Sequence, residues 1–453
     1  MAAVFKAGLL YFAAVFGAGF ALGTVRVLWL APRLGARTAE LLEMPIMLGV
    51  SIAAAVWIVR RQTVAPRAGP RLAMGSIALA LLLAAEFAVV LPLRGLSMAE
   101  YSATLDPVTG PLYYAMLALF AVLPLFVRPA VQLGRQILLA LAALVVAVPA
   151  GLTYESYRRD LALERMRVSL GSRIAKTPCG LIEFASRGEG PAILLVHGAG
   201  GGYDQGLDFA EPLAGYGFRV VSMSRFGYLG TPLPQDASPA AQADAHACLL
   251  DALKIERAAV IGASAGAPSV VQLALRHPRR ASAMLLLVPL AYAPRAGSAM
   301  PEMPLAARFM FERVVKSDLL FWLAMKTSPA TLVRTLLATP LEVFERAEPA
   351  ERERVERMMR HILPLSLRQT GLLNDVRMAA SLPRYELERI AVPTLVISAA
   401  DDLYGTYASG EYTAAHIPGA RFIGYPSGGH MWIGHHQEVL AAAKAFFGPP
   451  GPR

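Results

Sequence analysis

The run Gly262-Ala263-Ser264-Ala265-Gly266 has the makings of a serine nucleophile held on a sharp strand-to-helix corner. The apolar stretch AAVIGAS (Ala258 to Ser264) precedes the corner and the helical run VVQLALRH follows it. A serine at such a corner takes a strained backbone conformation. Glycines two positions to either side relieve the crowding, and Ala263 and Ala265 keep the corner small. A hydroxyl so placed attacks a carbonyl once a base removes its proton.

The other parts of that chemistry have candidates in chain order. His197-Gly198-Ala199-Gly200-Gly201 follows the apolar strand AILLV, where a loop can aim backbone N–H groups at a reacting oxygen. Ala199 or Gly200 supplies one donor and Ala265 the other. His197, at a strand end ahead of the elbow, shapes this loop rather than acting as the base. Downstream, PTLVISAA ends at Asp401-Asp402, and ARFIGYP (Ala420 to Pro426) is followed by Ser427-Gly428-Gly429-His430. Both lie at strand ends, where ligands bind in an open α/β sheet. His430, behind two glycines and ahead of the last helix, is the general base.

Positioning these residues takes a sheet. Six short apolar runs begin at Ala192, Phe218, Ala258, Ala283, Thr394 and Ala420, separated by helical patterns. Such an alternation predicts a mostly parallel sheet covered by helices on both faces. RIAKT and LIEFAS, joined across Pro178 to Gly180, read as a preceding hairpin.

With HGAGG, GASAG, the strand-end Asp401-Asp402 and Gly428-Gly429-His430 in this order, residues 172–448 resemble the α/β-hydrolase family. The resemblance implies acyl-enzyme chemistry: His430 deprotonates Ser264, and two backbone N–H groups hold the oxyanion. Matching TLVISAADD to the family pattern places the triad acid at Asp402, leaving Asp401 as a turn or capping residue. Neither a metal nor an organic cofactor is required. The stretch at about 291–390 resembles the family's helical lid, and lids choose substrates. It holds Met300, Met303, Phe309, Met310, Phe311, Phe321, Trp322 and Met325, which suit an apolar acyl or ring-bearing ligand or else form the lid's own core.

The rest of the chain is of another kind. At 453 residues with 55% hydrophobic content, part of the protein belongs in lipid. Residues 1–153 hold five runs able to span a bilayer, four being the alternative count: Ala7 to Leu30, Leu41 to Val59, Leu72 to Leu93, Pro111 to Val127 and Ile137 to Leu152. The first is not a cleaved signal peptide, because further spans follow. Residues 154–171, beginning YESYRRDLALERMRV, read as a helical connector. Arg26 and Glu43 pair within the bundle or, with Glu40, reach water at helix ends, whereas Glu86 lies mid-run. Gly17, Gly19 and Gly23 would let helices pack closely.

Scattered arginines make up the net charge of +10 without a dense stripe, which excludes a nucleic-acid partner and favours membrane lipid. Cys179 and Cys248 are too few for a disulfide scaffold, and the sequence leaves their pairing open. The loop with Arg60, Arg61, Arg67 and Arg71 should stay in the cytoplasm, which with five spans puts the hydrolase half outside it and with four reverses this. The expected function is therefore an integral membrane, esterase- or lipase-like serine hydrolase acting on an apolar or lipid-derived small-molecule ester. The alternatives are a carbon–carbon bond hydrolase on the same fold and a non-catalytic receptor or transport subunit; the sequence names no protein partner.

Overall fold

Runs of valine, isoleucine and leucine form the central strands of an eight-stranded sheet in a computed structural model. The structure describes residues 2–87, 101, 106–127, 135–294, 313–314 and 316–448, with only the backbone of 135–149. The chain forms two compact units, made chiefly of residues 1–160 and 161–453.

The second unit carries β1 (Arg173–Thr177), β2 (Gly180–Arg187), β3 (Ala192–Val196), β4 (Arg219–Met223), β5 (Ala258–Ala263), β6 (Ala281–Leu287), β7 (Thr394–Ala399) and β8 (Arg421–Tyr425). Their spatial order is β1-β2-β4-β3-β5-β6-β7-β8. β1 and β2 form the expected hairpin, and β2 pairs antiparallel with β4. From β4 to β8 every pairing is parallel, so the carboxyl ends of β3, β5, β7 and β8 share one edge. The strands read as continuous apolar runs because both faces are covered. Leu194, Val196, Val221, Val260, Leu286 and Val396 fill one core, while Ile193, Leu195, Val220, Ile261, Leu285 and Ile397 fill the other.

Between β6 and β7 the chain forms the helices Asp318–Thr327, Pro329–Thr335, Leu341–Arg346, Pro349–Arg360 and Gln369–Ala380. Phe321, Trp322 and Met325 are buried there. Met300, Met303, Phe309, Met310 and Phe311 lie outside the described residues. Cys179, in the β1–β2 turn, and Cys248, in the helix Pro239–Ala252, form a disulfide that ties the hairpin to a covering helix.

In the first unit, four helical segments among the described residues are long and apolar enough to cross a membrane: Ala2–Leu34, Ala36–Arg61, Ala68–Ala85 and Thr109–Phe126. The fifth apolar run lies on the helix Arg135–Leu170, where residues 135–149 fall outside the described side chains. That helix continues through most of the connector without a break. Arg26 pairs with both Glu40 (2.9 Å) and Glu43 (2.6 Å), and Glu86 accepts hydroxyls from Tyr101 (2.5 Å) and Tyr113 (2.6 Å). The close-packing glycines differ from those expected. A Cβ on Gly17 would meet nothing within 4 Å, one on Gly19 only the flexible end of Met47, and one on Gly23 only Glu43 at 4.0 Å. Gly75, where a Cβ would fall 1.8 Å from the Ala121 carbonyl, and Gly8, against Ile77, make the tight crossings. A small residue permits close approach, but its neighbours decide whether approach occurs.

Candidate active site

Ser264 follows β5 directly with φ at +47°, the left-handed region that a side chain disfavours. The flanking glycines have separate jobs. A Cβ on Gly266 would lie 2.5 Å from the Val196 carbonyl and 2.6 Å from that of His197, so only glycine lets the turn press against the end of β3. A Cβ on Gly262 would meet Ala267 and Val270, which start the following helix. Ser264 itself is half-buried, open to a reactant at the sheet edge.

His430 stands past β8, on a turn whose preceding glycines have φ of +135° (Gly428) and +61° (Gly429). Its Nδ1–H donates to Asp402 Oδ2 at 2.7 Å. That bond fixes the tautomer and leaves Nε2 unprotonated, a candidate base. Asp402, past β7, is buried and also accepts from the Tyr404 N–H (2.8 Å) and the Thr406 hydroxyl, which hold the carboxylate in place. Asp401 instead accepts from the Ser427 hydroxyl (2.8 Å) and the N–H groups of Gly428 (3.2 Å) and Gly429 (2.7 Å). It caps the histidine turn. Among the described residues Ser264 makes no hydrogen bond to His430.

The loop after β3 lies against the serine: a Cβ on Gly198 would come 3.1 Å from Ser264 Cβ. The N–H of Gly200 donates to the Tyr228 hydroxyl at 3.2 Å. Outside helices and strands neither the Ala199 nor the Ala265 N–H donates to a described residue, which makes both candidate donors for an oxyanion. Both ring nitrogens of His197 are engaged. Nε2 accepts the Arg225 N–H at 3.0 Å, so Nδ1 carries the proton given to the Gly198 carbonyl at 2.7 Å. Burial and then the nearby Arg225 charge hold this imidazole well below its ordinary pKa. It is a neutral brace for the loop and too enclosed to serve as a base.

Several residues around the site carry no local sequence signal. Arg225, past β4, pairs with Asp375 through Nη1 (2.8 Å) and Nη2 (2.5 Å) and gives Nη2 to the Gly198 carbonyl (3.2 Å). Arg368, fully buried, donates to the Gly201 carbonyl (2.6 Å) and to Asp204 (2.7 Å). Arg354 of the lid donates to the carbonyl of Met431, next to His430, at 2.7 Å. A charged residue directly after the apolar run FRVVSMS could have marked Arg225. Arg368 precedes the helix Gln369–Ala380 and Asp375 lies on it, and their partners are more than a hundred positions away. A recess of about 30 Å³, lined by Arg225, Gln242, Ala265, Leu290, Asn374 and Asp375, joins the elbow to the lid. No cluster of metal-ligating side chains occurs among the described residues.

The alpha/beta hydrolase fold family model matches residues 191–435. A 2-hydroxy-6-oxononadienedioate/2-hydroxy-6-oxononatrienedioate hydrolase 2 of Pseudomonas putida is 26% identical over 269 residues, 57% of this chain and 87% of that protein. A putative carbamate hydrolase RutD of Klebsiella pneumoniae (strain 342) is 30% identical over 257 residues, 53% of this chain and 84% of its own length. The structure of an alpha/beta hydrolase fold protein from Nakamurella multipartita is 29% identical, with a TM-score of 0.51, and covers 61% of this chain and 98% of that one. The family match leaves residues 1–190, which include the four long apolar helices found among the described residues, outside the hydrolase likeness. Through residues 191–435 this protein belongs to the α/β-hydrolase fold family.

Proposed function

We propose that this protein is a membrane-anchored serine hydrolase that cleaves an apolar or lipid-derived ester through an acyl-enzyme on Ser264. The observation that carries the reading is the bond between His430 Nδ1 and Asp402, at the sheet edge where the strained Ser264 also stands. In the first step the Ser264 Oγ–H proton passes to His430 Nε2 while Oγ bonds to the carbonyl carbon. The oxyanion rests on the N–H groups of Ala199 and Ala265. The carbon–oxygen bond to the alcohol then breaks, and that oxygen takes the proton from His430. Water repeats the sequence: it gives a proton to His430, attacks the acyl carbon and releases the acid, and Oγ recovers its proton.

A second reading is hydrolysis of a carbon–carbon bond beside a ketone. The Pseudomonas putida relative favours it, because its name gives a 2-hydroxy-6-oxo dicarboxylate as substrate. The long apolar helices favour a substrate held near lipid. The Cys179–Cys248 disulfide favours a catalytic unit outside the cytoplasm, since such bonds persist in oxidising compartments. With the helix Arg135–Leu170 as a fifth span, the arginine-rich loop at Arg60 to Arg71 agrees with that orientation, whereas the four described spans alone would reverse it.

Detergent-solubilised protein should react with a fluorophosphonate probe, and Ser264→Ala should not. Labelling that persists in the mutant would end the reading. A panel of acyl esters of rising chain length, set beside vinylogous 1,5-diketones, separates the two substrate classes by kcat/KM.

A further inference from the structure

The loop His197-Gly198-Ala199-Gly200-Gly201-Gly202 contains four glycines, so its own backbone offers little resistance to a rotated peptide. Its donors nevertheless need a fixed direction, because a preorganised N–H is what lowers the barrier. Part of the stiffness lies within the loop, where the Gly198 carbonyl accepts from His197 Nδ1 (2.7 Å) and the Gly201 N–H (3.3 Å), and the rest comes from outside it. Three of its polar backbone groups are held by residues that the lid carries or braces.

The peptide joining Gly198 to Ala199 is planar and trans, so its carbonyl and the Ala199 N–H point in opposite directions. Holding one aims the other. The Gly198 carbonyl accepts from His197 Nδ1 (2.7 Å) and Arg225 Nη2 (3.2 Å). The Gly200 N–H is held by the Tyr228 hydroxyl (3.2 Å), and the Gly201 carbonyl by Arg368 (2.6 Å). Asp375, on the lid helix Gln369–Ala380, grips both intermediaries: it accepts two bonds from the Arg225 guanidinium and one from the Tyr228 hydroxyl at 2.5 Å. Burial pushes the Tyr228 phenol well above its ordinary pKa, so the hydroxyl stays protonated and donates.

We infer that Asp375 is a positioning residue which, through Arg225 and Tyr228, aims the Ala199 N–H at the oxyanion, so that the hole is complete only when the lid helix is docked. This rests on the reading above that Ser264 is the nucleophile and that Ala199 is an oxyanion donor. Lid docking and chemical competence are then one event. A substrate that displaces Gln369–Ala380 disarms the loop until the helix returns.

The test uses the full chain in detergent with a short p-nitrophenyl ester and an alkyl boronic acid, which mimics the tetrahedral species. Tyr228→Phe removes one oxygen and leaves the Arg225–Asp375 pair; Asp375→Asn keeps the shape and removes the charge. Each should lower kcat on the order of tenfold to a hundredfold while KM changes less than about threefold, and should weaken boronate binding by the same factor as kcat. The double variant should be no worse than the poorer single, because both act on one loop. Asp375→Glu should recover part of the loss. Fluorophosphonate should still label Ser264 fully in every variant, only more slowly. Folded Tyr228→Phe with wild-type kcat overturns the inference, as does a loss in which boronate affinity is unchanged. Tyr228→Phe carries the test alone where Asp375→Asn does not fold. Activity surviving in Ser264→Ala marks a different failure, that of the nucleophile itself, and removes this inference with it.

Discussion

Asp402 Oδ2 receives the Nδ1–H of His430 at 2.7 Å although the two residues stand 28 positions apart, at the ends of neighbouring strands. The parallel pairing of β7 and β8 brings their carboxyl ends side by side, and the loop that leaves each strand contributes one partner. Asp401, one residue earlier, faces the backbone of the histidine turn.

The two aspartates should therefore separate cleanly. Asp402→Asn is expected to lower kcat by about ten-thousandfold, the loss seen when a serine-protease triad acid becomes an amide. Asp401→Asn weakens caps worth about 1 kcal/mol and should cost less than about tenfold. Steady-state kinetics on one ester measure both, and the reverse ranking would reassign the triad acid.

Ser264 and His430 should behave as one unit. Ser264→Ala and His430→Ala are each expected to reduce kcat by several powers of ten, and the double variant should be no slower than either. Additive losses would mean that the two side chains act in separate steps.

The Cys179–Cys248 bond closes a loop whose ends are 69 positions apart. Chain-entropy arguments assign a loop of that length roughly 4 kcal/mol of stability. Cys248→Ser should lower the thermal midpoint of the hydrolase unit by several degrees, and added reductant should do the same to the wild type. Alkylation with a maleimide–polyethylene glycol in intact cells, before and after reduction, reads the compartment: thiols already reactive before reduction would place this unit in the cytoplasm.

Acid should destabilise the hydrolase unit in a predictable window. Burial, with a smaller contribution from the Arg225 charge, pushes the His246 imidazole from 6.5 down to about 3. Below about pH 6.5 the unfolded chain binds a proton that the folded one refuses, so stability falls as pH falls and stops falling on this account near pH 3. His197 acts in the same direction. Burial alone would raise the Asp204 carboxyl, but Arg368 and Arg167 overcome it and hold the group below its ordinary value. Its share of stability is present above about pH 3.8 and is lost below that. His246→Gln should flatten the decline between pH 6.5 and 4.5 in thermal melts; an unchanged slope would rule out His246 as a contributor.

The elbow, the loop after β3 and the strand-end acid and histidine were legible in the sequence because each is a local device. A strained corner needs glycine at fixed offsets, and an apolar run bounded by turn residues marks a strand end. The sheet was legible for the same reason, since strands buried on both faces lose their polar alternation. Ala199 could not be separated from Gly200 that way. Both are small residues in one turn, and the Tyr228 hydroxyl, 28 positions on, engages Gly200 and leaves Ala199 unpaired.

What the sequence determined by itself is thus the set of candidate residues: which types are present, in what order, and on which corners. Tertiary structure alone decided what holds them. Arg225, Tyr228 and Asp375 become one cluster only because the lid helix folds back over the end of β4, bringing together residues 147 and 150 positions apart. Gly8 and Gly75, rather than Gly17, Gly19 and Gly23, became close-packing points because helix rotation within the bundle sets which small residue meets a neighbour. Cys179 met Cys248 because the β1–β2 turn reaches the helix that covers it. Partners distant in the chain leave no periodic mark in it, for the free energy that joins them is gained only when the whole fold closes.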